Sequence, residues 1–297
     1  MGLRIAPDLY ATVTNAIGGD RQRLNTALQQ ISTGQSVNSP SDNPAAVAAL
    51  IENNTQSSAN DQFLHSISSI QGSLQTADST LGSVVNALNQ AISIGTEGAN
   101  GTISDSERQA MAQEMQSIQQ TVMGLANTSY QGSYLFAGTA VTSPPYVADP
   151  LSASGVTYAG NSTANNAQVG ADQFVPLNLP GSAIFNGAGA DVFQALHDLS
   201  TALASNSNIT SALGEVQKAF DGVNTQRTFY GNTLQGLSAI NGDLEQEQLT
   251  LAQQTSHLIS ADPAQAASTV IEAEYALNSA LSAFGHISQN TLLDYLK

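Results

Sequence analysis

Apolar residues recur along this chain at two well-separated stretches with the spacing of packed helices. Phe63, Ile67, Ile70, Leu74, Ala77, Leu81, Val84, Leu88 and Ala91 follow one another at alternating steps of four and three. That is the 3.5-residue seam of a coiled coil, held here for four heptads. At about 1.5 Å per residue the stripe extends about 40 Å. Met111, Met115, Ile118, Val122 and Leu125 repeat the alternation. Between the two stripes, Gly95, Gly98 and Gly101 are expected to break the helix, and Ser104 with Glu107 forms a capping box that restarts it. The pattern predicts two antiparallel helices facing each other; an ordinary amphipathic surface helix is the alternative.

The second half answers the first. Leu237, Leu244, Leu251 and Leu258 recur every seven residues, with polar Asn241, Gln248 and Thr255 between them. A half-polar seam of this kind suits a multi-helix bundle better than a two-stranded coil. Asp262-Pro263-Ala264-Gln265 reads as an N-cap, a proline at the first helical position and a capping-box Gln. Val270, Leu277 and Phe284 then share a seven-residue repeat, with Ala273, Ala280 and Leu281 beside it. Near the start, Leu24, Leu28 and Ile31 lie on one helical face. Gly34 is a plausible C-cap, and Asp42-Asn43-Pro44 marks a new helix start.

Residues 132–190 break this regime. They carry eight glycines and five prolines, with short apolar runs such as Tyr134-Leu135-Phe136 and Phe174-Val175. Such density predicts short strands and turns. Asp191 then caps a further helix. The expected fold is mainly α with a β-rich insert (α+β), an elongated helical rod or coiled-coil bundle formed by both chain ends. Its expected parts are a terminal assembly domain of residues 1–40 and 263–297, a helical rod of 41–131 and 191–262, and a β-rich outer domain of 132–190. Terminal helices with apolar stripes need a partner to cover them, which suggests an assembly component.

Composition narrows the function. Seven Lys and Arg stand against 23 Asp and Glu, for a formal charge of -16. That excess disfavours nucleic acid, whose binding depends on clustered cations, and disfavours docking on an anionic membrane. No stretch is apolar for long enough to insert in a membrane. The absence of cysteine removes disulfides and thiolate chemistry. The N-terminus has no apolar core of a signal peptide, so the chain is expected to be either cytoplasmic or exported without a cleaved signal.

No motif for catalysis emerges. His65, His197, His257 and His286 fall in four separate predicted helices. Gly187 and Gly189 lack the third glycine of a dinucleotide loop, and Glu245 and Glu247 point to different helical faces. No enzyme activity, cofactor or metal is expected.

Three segments carry a resemblance. Gly132-Ser133-Tyr134-Leu135-Phe136-Ala137-Gly138, Ser39-Pro40-Ser41-Asp42-Asn43-Pro44-Ala45-Ala46 and the closing Thr291-Leu292-Leu293-Asp294-Tyr295-Leu296 resemble elements of the bacterial flagellar hook-associated protein 3 family, in that family's order. Flagellin shares the terminal helices, but Pro44 stands where flagellin has a different sequence. Asn43 replaces the family's second Asp, Glu274-Tyr275 departs from its C-terminal pattern, and Gly18-Gly19 would interrupt the N-terminal helix.

The resemblance implies a flagellin-like architecture and an adaptor joining the hook, through hook-associated protein 1, to flagellin. It also implies copies of itself in a ring, an export chaperone, and an extracellular position on the flagellum. The assembly interface is expected at Ile5, Leu24, Leu28, Ile31, Leu277, Leu281, Phe284, Leu292, Leu293 and Leu296. The helical seam is expected at Ile67, Ile70, Leu74, Leu81, Val84 and Leu88. Asp42, Pro44, Gly132, Tyr134, Leu135, Phe136 and Gly138 carry the family motifs. A flagellin-class filament subunit, and a secreted enzyme or glycan-binding protein working through the insert, are the competing readings.

Overall fold

A computed structural model describes residues 7–187 and 190–295, with side chains described for 11–187 and 191–286. Helix α1 spans Pro7–Thr33, α2 Pro44–Gly98, α3 Asp105–Ala126, α5 Val192–Ser205, α6 Ile209–Ile259 and α7 Pro263–Tyr295. Between α3 and α5 lie four two-stranded antiparallel hairpins and a single helical turn, α4, Gly181–Ile184. The hairpins pair β1 (Ser129–Tyr130) with β2 (Ser133–Tyr134), β3 (Tyr146–Ala148) with β4 (Val156–Tyr158), β5 (Asn166–Gln168) with β6 (Phe174–Pro176), and β7 (Asn186–Gly187) with β8 (Ala190–Asp191). The chain is thus mainly helical with a β-rich insert.

Local chemistry sets most of the boundaries. Pro7, Pro44 and Pro263 each open a helix, where proline's missing N–H costs no hydrogen bond. Asn43 Oδ1 accepts from the Ala46 N–H at 3.1 Å, and Asp262 Oδ1 from the Ala264 N–H at 2.8 Å. At α3 both halves of the capping box form: Ser104 Oγ accepts from the Glu107 N–H, and Glu107 accepts from the Ser104 N–H at 2.9 Å. These contacts hold the Glu107 carboxyl below its ordinary value, the Ser104 hydroxyl contributing most. Asp191 caps α5, and Asn206, in a left-handed conformation, ends it.

Two expectations about glycine fail. Gly95 lies inside α2 rather than breaking it, whereas Gly98 is the last residue of α2 and Gly101 sits in the turn that follows, so the break expected before Ser104 falls there. A Cβ at Gly95 would stand 3.0 Å from both Leu199 and Leu213, and one at Gly98 would collide with Leu203. Glycine is there because α5 packs against the α2 backbone, and that packing outweighs the intrinsic penalty. Gly18 and Gly19 likewise sit within an unbroken α1.

The chain divides into two compact units. One comprises Asn60–Glu245. Its core takes Ile67, Ile70, Leu74, Leu81, Val84 and Leu88 from α2, all buried, together with Met115, Ile118 and Val122 from α3, Leu196, Leu199 and Leu203 from α5, and Val216, Val223 and Leu237 from α6. Gln90 on α2 donates to Glu114 on α3 at 2.9 Å, on the exposed side of that pair.

The same core runs into the insert through aromatic rings. Tyr146 lies 4.8 Å from Phe193 and 5.4 Å from Phe185, and Phe136 packs edge-on against Phe185 at 5.5 Å. Burial drives the Tyr146 and Tyr230 phenols well above their ordinary range, so both stay neutral. The other unit comprises residues up to Ala59 and from Gln246 onward.

Candidate functional site

In this second unit α1 packs along α7, and among the described residues the side chains buried in the unit are small, Ala27 on α1, Ala46 on α2, and Ala266 and Ala273 on α7, except for Leu251 of α6. Alanine lets helix axes approach closely, so bulkier residues are pushed to the flanks of the seam. Leu24, Leu277 and Phe284 are half-buried there. Leu28 and Ile31 are 48% and 46% exposed, and Leu281 is 43% exposed. Ile5 and Leu296, and the side chains of Leu292 and Leu293, lie outside the described residues.

Further exposed apolar residues of this unit lie outside the heptad pattern. Ile51, Ile271 and Tyr275 are 62%, 54% and 72% exposed. With 3.6 residues per turn, Ile271 and Tyr275 fall on the side of α7 opposite Ala266 and Ala273. Their four-residue spacing was readable in the sequence, but it competed with the seven-residue repeat beside it. Large apolar groups thus occupy both sides of α7, whereas an isolated surface helix needs only one apolar face. Exposed apolar surface in this amount marks a site of association.

The connectors fix this unit. Between α1 and α2, Gly34 adopts φ +70°, a conformation that favours glycine. Its carbonyl accepts from the Ala261 N–H at 2.9 Å, and the Ser36 N–H donates to the Ile259 carbonyl at 2.6 Å. Gln35 and Ser260 thereby form a single antiparallel bridge between the α1–α2 and α6–α7 connectors. Asp42 closes the first connector: one carboxylate oxygen accepts from the Ser39 and Asn38 N–H groups at 2.8 and 2.9 Å, the other from the Ser39 hydroxyl at 2.9 Å. These bonds, led by the Ser39 N–H, hold the Asp42 carboxyl below its ordinary value. Pro44 follows at the first position of α2.

Polar rungs link the start of α2 to the end of α6. Asn53 Nδ2 donates to Thr255 Oγ1 at 3.4 Å, Gln56 Nε2 to Glu247 Oε1 at 2.8 Å, and Gln248 Nε2 to the Ser57 carbonyl at 3.3 Å. The polar positions between Leu244, Leu251 and Leu258 therefore take part in cross-helix hydrogen bonds.

The second motif lies in the Asn60–Glu245 unit. Gln131 and Gly132, both at positive φ, form the two-residue turn between β1 and β2. Tyr134 ends β2, while Leu135 and Phe136 leave the strand and enter the core. Gly138, at φ +66°, directs its carbonyl to Asn178 Nδ2 at 3.0 Å and Asn165 Nδ2 at 3.2 Å. A Cβ at Gly138 would collide with Asn161. The motif therefore builds the passage from α3 into the insert.

Among the described residues no group of three or more His, Asp and Glu could hold a metal ion, and no helix is long and apolar enough to cross a membrane.

Residues 9–141 match the bacterial flagellin N-terminal helical region. The chain is 24% identical over 282 residues to flagellar hook-associated protein 3 of Escherichia coli K12, covering 86% of this chain and 87% of that protein. It is 29% identical over 159 residues to flagellar hook-associated protein 3 of Salmonella typhimurium, covering 53% of this chain but only about half, 49%, of that protein. The crystal structure of the flagellar junction protein FlgL from Legionella pneumophila superposes with a TM-score of 0.61 at 14% identity, over 71% of this chain and 100% of that one. That likeness establishes a shared fold.

Proposed function

We propose that this chain, a flagellin-like protein of the hook-associated protein 3 family, is a structural adaptor at the junction of the flagellar hook and filament. The observation that carries this reading is the row of large apolar side chains left exposed beside an alanine-filled seam in α1 and α7. Burying one Leu or Phe side chain is worth about 1.5–3 kcal/mol, so several such contacts repeated between subunits make a strong multivalent joint.

In this proposal Leu24, Leu28, Ile31, Leu277, Leu281 and Phe284, together with Ile5, Leu292, Leu293 and Leu296, contact neighbouring subunits. Hook-associated protein 1 lies on one side and flagellin on the other, with copies of the chain arranged in a ring. An export chaperone shields the apolar ends before assembly, and the chain reaches the outside of the cell without a cleaved signal. Residues 1–40 with 263–297 act as the assembly domain, 41–131 with 191–262 as the helical support, and 132–190 as the outward domain. The role is mechanical rather than catalytic, in keeping with relatives that are structural flagellar proteins.

A chain ending at Asp262 tests the reading. It should retain a cooperative thermal transition from the Asn60–Glu245 unit yet fail to join hook to filament. Cells carrying it should bear bare hooks and release flagellin into the medium; normal filaments would overturn the adaptor role. The match to the flagellin helical region also favours a filament-subunit reading. Open-ended polymerisation of the purified protein alone would support that reading instead.

A further inference from the structure

The chain contains three Asn-Gly pairs: Asn100-Gly101, Asn186-Gly187 and Asn241-Gly242. Such pairs are chemically labile, because a glycine nitrogen reaches the preceding side-chain amide carbon without hindrance from a Cβ. Folding decides which of them can react. Asn241 and Gly242 lie within α6, where the helical backbone holds that nitrogen in the hydrogen-bond ladder. Asn186 is held at both ends of its amide: Nδ2 donates to Asp191 at 2.6 Å, and Oδ1 accepts from the Tyr146 hydroxyl at 2.8 Å. Its neighbour Gly187 is fixed in register with Ala190.

Asn100-Gly101 is different. It occupies the turn between α2 and α3, both residues are exposed, and nothing lies within 4 Å of a Cβ built on Gly101. Among the described residues the Gly101 N–H has no backbone acceptor. Asn100 Oδ1 accepts two hydrogen bonds from one residue, the Thr102 N–H at 3.3 Å and the Thr102 hydroxyl at 3.1 Å. Attack of the Gly101 nitrogen on Asn100 Cγ places negative charge on that same oxygen. Donors already aimed at a developing oxyanion accelerate such an addition.

We propose that Asn100 is a self-promoted modification site, with Thr102 as the oxyanion donor. The Gly101 N–Cγ bond forms, the Cγ–Nδ2 bond breaks, and the amide nitrogen leaves as ammonia with the proton from Gly101. Solvent water then opens the resulting succinimide at either imide carbonyl, giving aspartate or isoaspartate; no electrons are exchanged. The product adds a carboxylate two residues beyond the end of α2, where the last helical carbonyls already concentrate negative partial charge. The isoaspartate form also lengthens the backbone of the α2–α3 turn by one methylene.

The test is to incubate the folded full-length protein in warm, mildly alkaline buffer and follow all three sites by peptide mapping with an isoaspartate-selective readout. Asn100 should convert several-fold faster than Asn186 and Asn241, whereas in denatured protein the three should convert at similar rates. Gly101→Ala should stop conversion at Asn100. Thr102→Ala should slow it several-fold without shifting the melting temperature. Equal rates at the three sites in the folded protein, or an unchanged rate in Thr102→Ala, would overturn the proposal.

Discussion

Arg227 on α6 reaches across to Asp78 on α2 with two hydrogen bonds, Nε to Oδ1 at 3.0 Å and Nη2 to Oδ2 at 3.3 Å. Gly82, one turn further along α2, lies beside the guanidinium, whose nearest nitrogen would stand at an ordinary contact distance, 3.6 Å, from a Cβ there. In a chain with only seven Lys and Arg this ion pair is a specific cross-link between two long helices. Both side chains are 34% exposed, so solvent screens much of the attraction. A double-mutant cycle of Arg227→Met with Asp78→Asn should give a coupling of up to about 1 kcal/mol, weakening with added salt. Zero coupling at low salt would show that the pair is geometric rather than energetic.

The seam of α2 should dominate the stability of the Asn60–Glu245 unit. Leu81 is fully buried and Gln75 is exposed on the same helix. Leu81→Ala should cost about 2–5 kcal/mol in chemical unfolding, whereas Gln75→Ala should change little. Similar losses from the two would contradict the packing described.

Glycines in two helices should respond in opposite directions to alanine. Gly98→Ala forces a methyl against buried Leu203 and should destabilise by about 1–3 kcal/mol despite alanine's better propensity. Gly18→Ala and Gly19→Ala meet nothing within 4 Å and should each raise α1 helicity, by about 1 kcal/mol. Circular dichroism and denaturant melts separate the cases; a stabilised Gly98→Ala would mean that α5 gives way easily.

Acid should loosen the protein first at its carboxylate caps. Asp42, Glu107 and Asp149 are all held below their ordinary values, Asp149 chiefly by the Thr157 hydroxyl. A carboxyl lowered by folding contributes fully above its unfolded pKa, and the contribution disappears as pH falls through the folded one. Below about pH 4 the amides of Ser39 and Ser104, which donate to Asp42 and Glu107, should therefore lose protection from hydrogen exchange. Asp42→Asn and Glu107→Gln should flatten that pH dependence; an unaltered acid profile in both variants would exclude these caps as its source.

Much of this architecture was written in local signals. The four-and-three spacing from Ile67 to Leu88 needs no tertiary knowledge, and Asn43, Ser104, Glu107, Asp191 and Asp262 declare helix starts through short-range hydrogen bonds. What escaped was set by distant partners. The helix-breaking tendency of Gly95 is local, while the leucines that press on it come from α5 and α6. Phe136, Tyr146, Phe185 and Phe193 form one aromatic cluster from four separated points in the chain, which no periodicity reveals. For the candidate surface, the sequence named apolar residues on α1 and α7. It did not disclose that alanines fill the seam and leave Ile271 and Tyr275 outward.

The paired connectors at Gly34–Ser36 and Ile259–Ala261 carry a mechanical consequence. Because each turn is hydrogen-bonded to the other through backbone groups, neither α1 nor α7 can slip lengthwise past the other without breaking both bonds. A pull on one terminal helix is shared at once with its companion, as in a clasped pair of cables. The two bonds come from the backbone, and the Ser36 hydroxyl adds a third to the Ile259 carbonyl at 3.2 Å, so a change that removes an N–H, such as proline at Ser36 or Ala261, would loosen the clasp more than trimming a side chain.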